Sequence, residues 1–281
     1  MKKYRESLLD LDYSLSAEPN DVMLLVLRGE IYREMDKLNE SLNDLNKALE
    51  IMPNNANALG QRGVTYRIMK NNEESMKDLN ASLRIEKDNA FLLKQRGITF
   101  KTMGRYDEAL TDLTSAKDIE QDDAELLYQY GDTCHLMQKD GEALRYLNQS
   151  IKIDPNVADA LELRGMIFYN LERYDEALTD LTESLKINPK NANTLRYRGA
   201  TYRKLRNYEE SLADLNKSLE IEPNNLIAIE CRSKTLKNMR SFTEAARDLT
   251  STLIHSPTKS INYGLSALKG IKKRTTDNGK P

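Results

Sequence analysis

The sequence predicts an all-α protein built as a stack of helix–turn–helix units, and three observations carry that prediction. One column of small residues recurs at an unbroken interval of 34 residues: Gly29, Gly63, Gly97, Gly131, Gly165, Gly199 and then Ser233. A period of that length marks a repeat architecture, in which each unit rests mainly on its neighbours. Within each unit, apolar residues return at spacings of three and four, as on one face of a helix. Six of the seven prolines share a single column (Pro19, Pro53, Pro155, Pro189, Pro223 and Pro257), where each would end a helix.

The composition agrees. Charged residues make up 31% of the chain and aromatics 6%, with no Trp, which suits exposed helices with thin apolar seams better than one thick core. The formal charge of −2 gives no reason to expect a nucleic acid or a membrane surface as partner. The charge is uneven, since residues 259–281 hold six Lys/Arg against one Asp and leave 1–258 about seven units acidic. Cys134 and Cys231 fall at different repeat positions and form no CxxC pair. That usage favours a reducing compartment, so the expected location is the cytoplasm, with the nucleus also open. The first twenty residues lack the apolar stretch of a signal peptide. No apolar run approaches the roughly 18 residues of a membrane span.

The first element is incomplete. Tyr4, Ser7, Leu11, Ser14 and Pro19 match the second half of a unit, so residues 1–21 read as the second helix of a truncated repeat. Seven repeats follow over 22–258. With the glycine column set as position 8, they begin at Val22, Ala56, Ala90, Ala124, Ala158, Ala192 and Leu226. Position 4 is Leu25, Leu59, Leu93, Leu127, Leu161, Leu195 and Ile229, and position 11 is mostly aromatic or apolar. Position 14 (Met35, Met69, Met103, Met137, Leu171, Leu205, Met239) is expected to continue that seam. In the second helix, positions 20 and 27 are small and position 24 is Leu throughout. Small residues at 8, 20 and 27 let helix backbones approach, and a larger side chain there would overpack by roughly 1–3 kcal/mol. Asn or Asp beyond the proline column (Asn55, Asn89, Asp123, Asn191, Asn225) is suited to cap the next first helix. Residues 259–281 are expected to hold a capping helix and a flexible basic tail.

Two columns exchange together. Position 7 is Arg in six repeats, including Arg96, but Tyr130 in the fourth; position 23 is Asp in six, including Asp112, but Tyr146 in the fourth. The paired exchange predicts contact across each hairpin, an ion pair in six repeats and two stacked tyrosines in the fourth.

The stretch "LRYRGATYRKLRNYEESLADLNKSLEIEPNN" resembles the tetratricopeptide repeat family, which pairs Leu-Gly with an aromatic three residues on, then Ala, an aromatic and Pro. The resemblance covers about residues 2–258. It departs at position 4, where Leu replaces a frequent Trp, at position 24, where Leu replaces an aromatic, and at position 7, where Arg replaces Leu. It implies a right-handed superhelical solenoid. It also implies that the stripe of the first helix formed by positions 2, 5, 9 and 12 faces a concave groove that binds peptides.

Those positions are the ones that vary between repeats. The candidate partner-binding residues are Arg33, Arg67, Phe91, Lys94, Ile98, Lys101, Tyr128, Asp132, His135, Glu162, Tyr169, Arg196, Arg203 and Lys237. Position 12 is basic in five of seven repeats, while Glu125, Asp132, Asp159 and Glu162 gather in repeats four and five. The expected partner is therefore a protein or peptide segment with acidic residues near both ends and a basic or aromatic centre. A plain solvated face is the alternative for any single residue. Position 9 contains no Asn, so the family's clamp for a C-terminal carboxylate is not expected.

Catalytic chemistry is not expected, nor any cofactor or metal. Two histidines lie too far apart for a metal site, and neither a phosphate-binding glycine loop nor GxSxG nor HExxH occurs. The reading is a protein-interaction scaffold. Three other readings stay open: an RNA-binding helical repeat, the arm of a larger signalling protein whose catalytic domain lies outside this chain, and self-assembly, as a homodimer, through unmatched terminal helices.

Overall fold

The computed structural model describes residues 2–241 and 243–248. The expected capping helix and tail of 259–281, and His255 and Pro257 before them, lie outside the described residues. Fourteen helices are bounded: α1 (Lys2–Ala17), α2 (Val22–Glu34), α3 (Leu38–Ile51), α4 (Ala56–Ile68), α5 (Asn72–Ile85), α6 (Ala90–Thr102), α7 (Tyr106–Ile119), α8 (Ala124–Leu136), α9 (Asp140–Ile153), α10 (Ala158–Asn170), α11 (Tyr174–Ile187), α12 (Ala192–Lys204), α13 (Tyr208–Ile221) and α14 (Leu226–Asn238). A further helical stretch covers 243–248, and no strand occurs among the described residues. This is an all-α helical-repeat solenoid. Two compact units divide it at Ile153. The first holds α1 and the hairpins α2–α3, α4–α5, α6–α7 and α8–α9. The second holds the hairpins α10–α11 and α12–α13, then α14.

The glycine column is a contact point. A Cβ on Gly97 would sit 3.0 Å from Leu113 Cγ and 3.2 Å from the carbonyl oxygen of Ala109, and on Gly199 2.8 Å from Leu215 Cγ. Gly29, Gly63, Gly131 and Gly165 meet the leucine of their own position 24 in the same way. Those leucines are fully buried. In the seventh repeat Ser233 stands in the column, and its hydroxyl donates to the carbonyl of Ala245 at 3.1 Å.

Hydroxyls fill the other tight places. At position 27, Ser82, Ser150, Ser184 and Ser218 each donate to the carbonyl of the first residue of their repeat at 2.7–3.0 Å. Serines at position 20 meet threonines at position 10 of the next repeat, as Ser41–Thr65 at 3.1 Å and Ser211–Thr235 at 3.0 Å. These serines are buried, including those of the N-x-Ser sequences at Asn39, Asn80, Asn148 and Asn216.

Helix ends differ from expectation in two respects. Position 14 is the C-cap of each first helix and leaves the seam: Met69, Met103 and Leu171 are exposed. Position 15 then enters the left-handed region, at Asp36, Lys70, Gly104, Gln138, Glu172, Arg206 and Arg240. The next amide donates back to the carbonyl of position 11, as Arg105 to Phe100 at 2.9 Å, closing a Schellman turn. Second helices also end without proline. Both α5 and α7 stop at the column's usual isoleucine, Ile85 and Ile119, although Lys87 and Gln121 stand where proline does elsewhere. There the following cap holds the boundary, with Asn89 and Asp123 accepting from the amides of Leu92 and Leu126.

Candidate binding groove

The groove stripe is carried by the first helices, which the Arg–Asp columns fix to their partners. Arg28, Arg62, Arg96, Arg164, Arg198 and Arg232 each reach both carboxylate oxygens of Asp44, Asp78, Asp112, Asp180, Asp214 and Asp248 through Nε and Nη2, at 2.6–2.9 Å. These aspartates raise the guanidinium pKa of Arg28, Arg62, Arg96, Arg198 and Arg232, against the opposing effect of burial. In the fourth repeat the rings of Tyr130 and Tyr146 lie 4.1 Å apart at a tilt of 36°. The remaining nitrogen makes a bond that the sequence reading did not foresee. Nη1 of Arg62, Arg96 and Arg232 donates to Asn46, Asn80 and Asn216 of the preceding repeat at 2.8–3.0 Å.

In the first unit the position-12 cations are largely engaged by the next repeat. Arg33 Nη1 donates to Gln61 Oε1 at 2.7 Å, Arg67 Nη2 to Gln95 Oε1 at 3.0 Å and Lys101 Nζ to Gln129 Oε1 at 2.5 Å. Lys101 also pairs with Asp132, and Lys94 with Asp123. Burial pushes the Asp123 carboxyl up, but the Lys94 contact and the Leu126 amide outweigh it and the net shift is downward. Arg67 makes no such ion pair: burial lowers its pKa, Arg33 adds to the effect, the charge of Glu125 opposes it only in part, and its Nε is buried with no hydrogen-bond partner. His135 Nδ1 sits 2.6 Å from Asp140 Oδ1. Ile98 is buried, Tyr128 is half-buried with Lys101 Nζ 6.0 Å from its ring centre, and Phe91 is 38% exposed. Phe91 and, at the same position of the first repeat, the 72% exposed Met23 are therefore apolar members of the stripe that this unit presents to solvent.

In the second unit Glu162 accepts from Asn191 at 2.7 Å and from Asn193. Arg196 donates to Asn193 Oδ1 at 2.6 Å and lies over the ring of Tyr197 at 4.0 Å. Tyr169 meets Tyr197 edge-on at 5.8 Å and Tyr174 at 5.9 Å. Lys237 is exposed. Arg203 is half-buried, and its Nε is sealed without a partner.

The glutamines at position 6 were the residues that sequence reasoning missed. Their signal was present: Gln61, Gln95 and Gln129 occur in the three repeats that follow Arg33, Arg67 and Lys101. Among the described residues no group of three His, Cys, Asp or Glu could hold a metal ion. No helix among them is long and apolar enough to cross a membrane.

Family models agree with this architecture. Tetratricopeptide repeat models match residues 158–191 and 192–225, and 56–89 and 124–157; a TPR repeat model matches 29–68. Together they cover more than half of the chain, which belongs to the tetratricopeptide repeat family. No curated protein sequence matches it significantly. Among solved structures it is similar to one in the APC/C hetero-tetramer Cut9–Hcn1, with a TM-score of 0.78 at 17% identity over 83% of this chain. It spans 46% of that chain's length. PilF of Pseudomonas aeruginosa gives 0.68 at 18% identity, over 76% of this chain and 97% of the other. A tetratricopeptide repeat protein from Parabacteroides merdae gives 0.59 at 17% identity, over 91% and 98%. At these identities the likeness is one of fold, and the fold is a non-catalytic type used in general for protein-interaction scaffolds.

Proposed function

We propose that the chain is an adaptor that binds a segment of a partner protein on the stripe that positions 2, 5, 9 and 12 form on the first helices within a unit. One observation carries this reading. The frame columns hardly vary between repeats, while positions 2, 5 and 9 change in almost every unit, position 12 passes from Arg and Lys through His135 and Tyr169, and the stripe reaches solvent at Phe91 and Lys237. The internal pairing refines the partner's chemistry. Lys94 and Lys101 already hold Asp123 and Asp132, so they frame the groove and contribute little to acid recognition.

The test is peptide selection by display on the full chain, followed by affinity measurement. Peptides selected on the wild type should lose at least about tenfold in affinity, 1.4 kcal/mol, on Phe91→Ser or Lys237→Glu. They should be unaffected by Lys186→Glu on a second helix. Peptides indifferent to both groove changes would overturn the reading.

A further inference from the structure

Arg203 differs from every other position-12 cation for which a contact is seen. In the register where Lys101 receives Gln129 and Asp132 from positions 6 and 9 of the next repeat, those positions of the seventh repeat are Cys231 and Lys234. Among the described residues no acceptor reaches any nitrogen of Arg203, and its buried Nε is unsatisfied. A buried donor left this way has lost its water without gaining a partner. Burial raises the Cys231 thiol pKa, the charges of Arg196, Arg203 and Lys234 oppose that shift, and Glu230 adds to it. The nearby acid, Glu230, is 2.6 Å from Lys234 and is committed to it. Residues 249–281 contain a single acid, Asp277, against six Lys/Arg, so the rest of the chain is a poor source of counter-charge.

We propose that Arg203 is an oxyanion-binding subsite of the second unit, which takes a carboxylate or phosphoryl group from a bound peptide. The proposal deepens the adaptor reading and rests on it for the peptide. Arginine suits the task because its planar fork matches both oxyanions and stays charged. A carboxylate carries one negative charge and a phosphorylated side chain about −1.5 to −2 at pH 7, and both can accept from a guanidinium.

The anion can be tested without the peptide. In the 15N-labelled full chain, the Arg203 Nε–H signal is identified by its loss in Arg203→Lys. Inorganic phosphate at millimolar concentration should shift it saturably, and Arg105, whose guanidinium is held by Glu108, should not respond. Absence of a saturable shift, or an equal shift at Arg105, overturns the subsite. Selected peptides carrying Gln, Glu or phosphoserine at one site then identify the source. An anionic form should bind at least about tenfold more tightly than the Gln form on the wild type. The preference should vanish in Arg203→Gln, with helicity by circular dichroism unchanged. The tighter of the two anionic forms names the natural group. A preference that survives Arg203→Gln overturns the proposal. A phosphate response without any peptide binding leaves the subsite standing and removes the adaptor reading.

Discussion

Arg96 holds Asp112 by two parallel bonds, Nε to one carboxylate oxygen at 2.7 Å and Nη2 to the other at 2.8 Å. Nη1 of the same guanidinium reaches back to Asn80 at 2.8 Å. One side chain therefore closes its own hairpin, α6–α7, and ties it to the repeat before. The carboxylate side chain is 8% exposed and the guanidinium 24%. Such a pair gives modest net stability against an apolar replacement, but leaving one charge alone is costly.

Arg96→Leu should therefore destabilise the first unit by about 3–5 kcal/mol, because Asp112 would stay buried without its partner. Asp112→Leu should cost a similar amount. The double variant should cost less than the sum, with a coupling of roughly 1–3 kcal/mol. Urea unfolding followed by circular dichroism measures this, with the transition read for each unit separately, since repeat arrays do not always unfold as one. Strictly additive losses would mean that the contact carries no energy of its own.

The turn between the two helices of a repeat offers a second test. Lys70 and Gln138 adopt φ of 61° and 62°, where Gly104 stands in the third repeat at 74°. A side chain held there costs about 1–3 kcal/mol of backbone strain, partly offset by the greater unfolded entropy of glycine. Lys70→Gly should raise stability by about 1 kcal/mol, and Gly104→Ala should lower it by a similar amount. A Cβ at Gly104 meets nothing within 4 Å, so the second change reports backbone conformation alone. Equal urea midpoints for wild type and both variants would contradict this account.

The contrast between Arg96 and Lys101 explains what the sequence could reveal. Contacts inside one repeat recur in every unit, so each joins two columns that can be compared within a single chain. The joint change to Tyr130 and Tyr146 exposed one such pair, and the close approach of Gly97 to Leu113 follows from a column that is Gly or Ser and a column that is Leu throughout. Contacts between repeats depend on the stacking offset, so they show only when a residue in one repeat is matched with a different column of the next, as the glutamines after Arg33, Arg67 and Lys101 are. The Lys101–Gln129 bond spans 28 positions and joins position 12 to position 6, and the Arg96–Asn80 bond runs backwards by 16. The turn at position 15 was hidden for a different reason. Its conformation is set by the Schellman hydrogen bonds, and only Gly104 has the residue type that advertises it. The groove was legible as a stripe, but which of its cations were engaged depended on these hidden offsets.

Cys134 gives a test in pH. Its side chain is fully buried at position 11, with Sγ 3.8 Å from a Glu142 carboxylate oxygen. Burial first, and then the Glu142 charge, push the thiol up to about 11. An unfolded cysteine titrates near 8.5. Between those two values the unfolded chain has released a proton that the folded chain still holds. Fewer protons on the unfolded state make the slope of stability with pH negative, so stability falls as pH rises through this window. The limiting slope for one group is about 1.4 kcal/mol per pH unit. Cys134→Ala removes this contribution and leaves the other titrating groups in place. Its stability deficit relative to the wild type should therefore shrink steadily as urea midpoints are taken from below that window to its upper end. A deficit that stays constant with pH would show that the thiol ionises in the folded chain as readily as in the unfolded one.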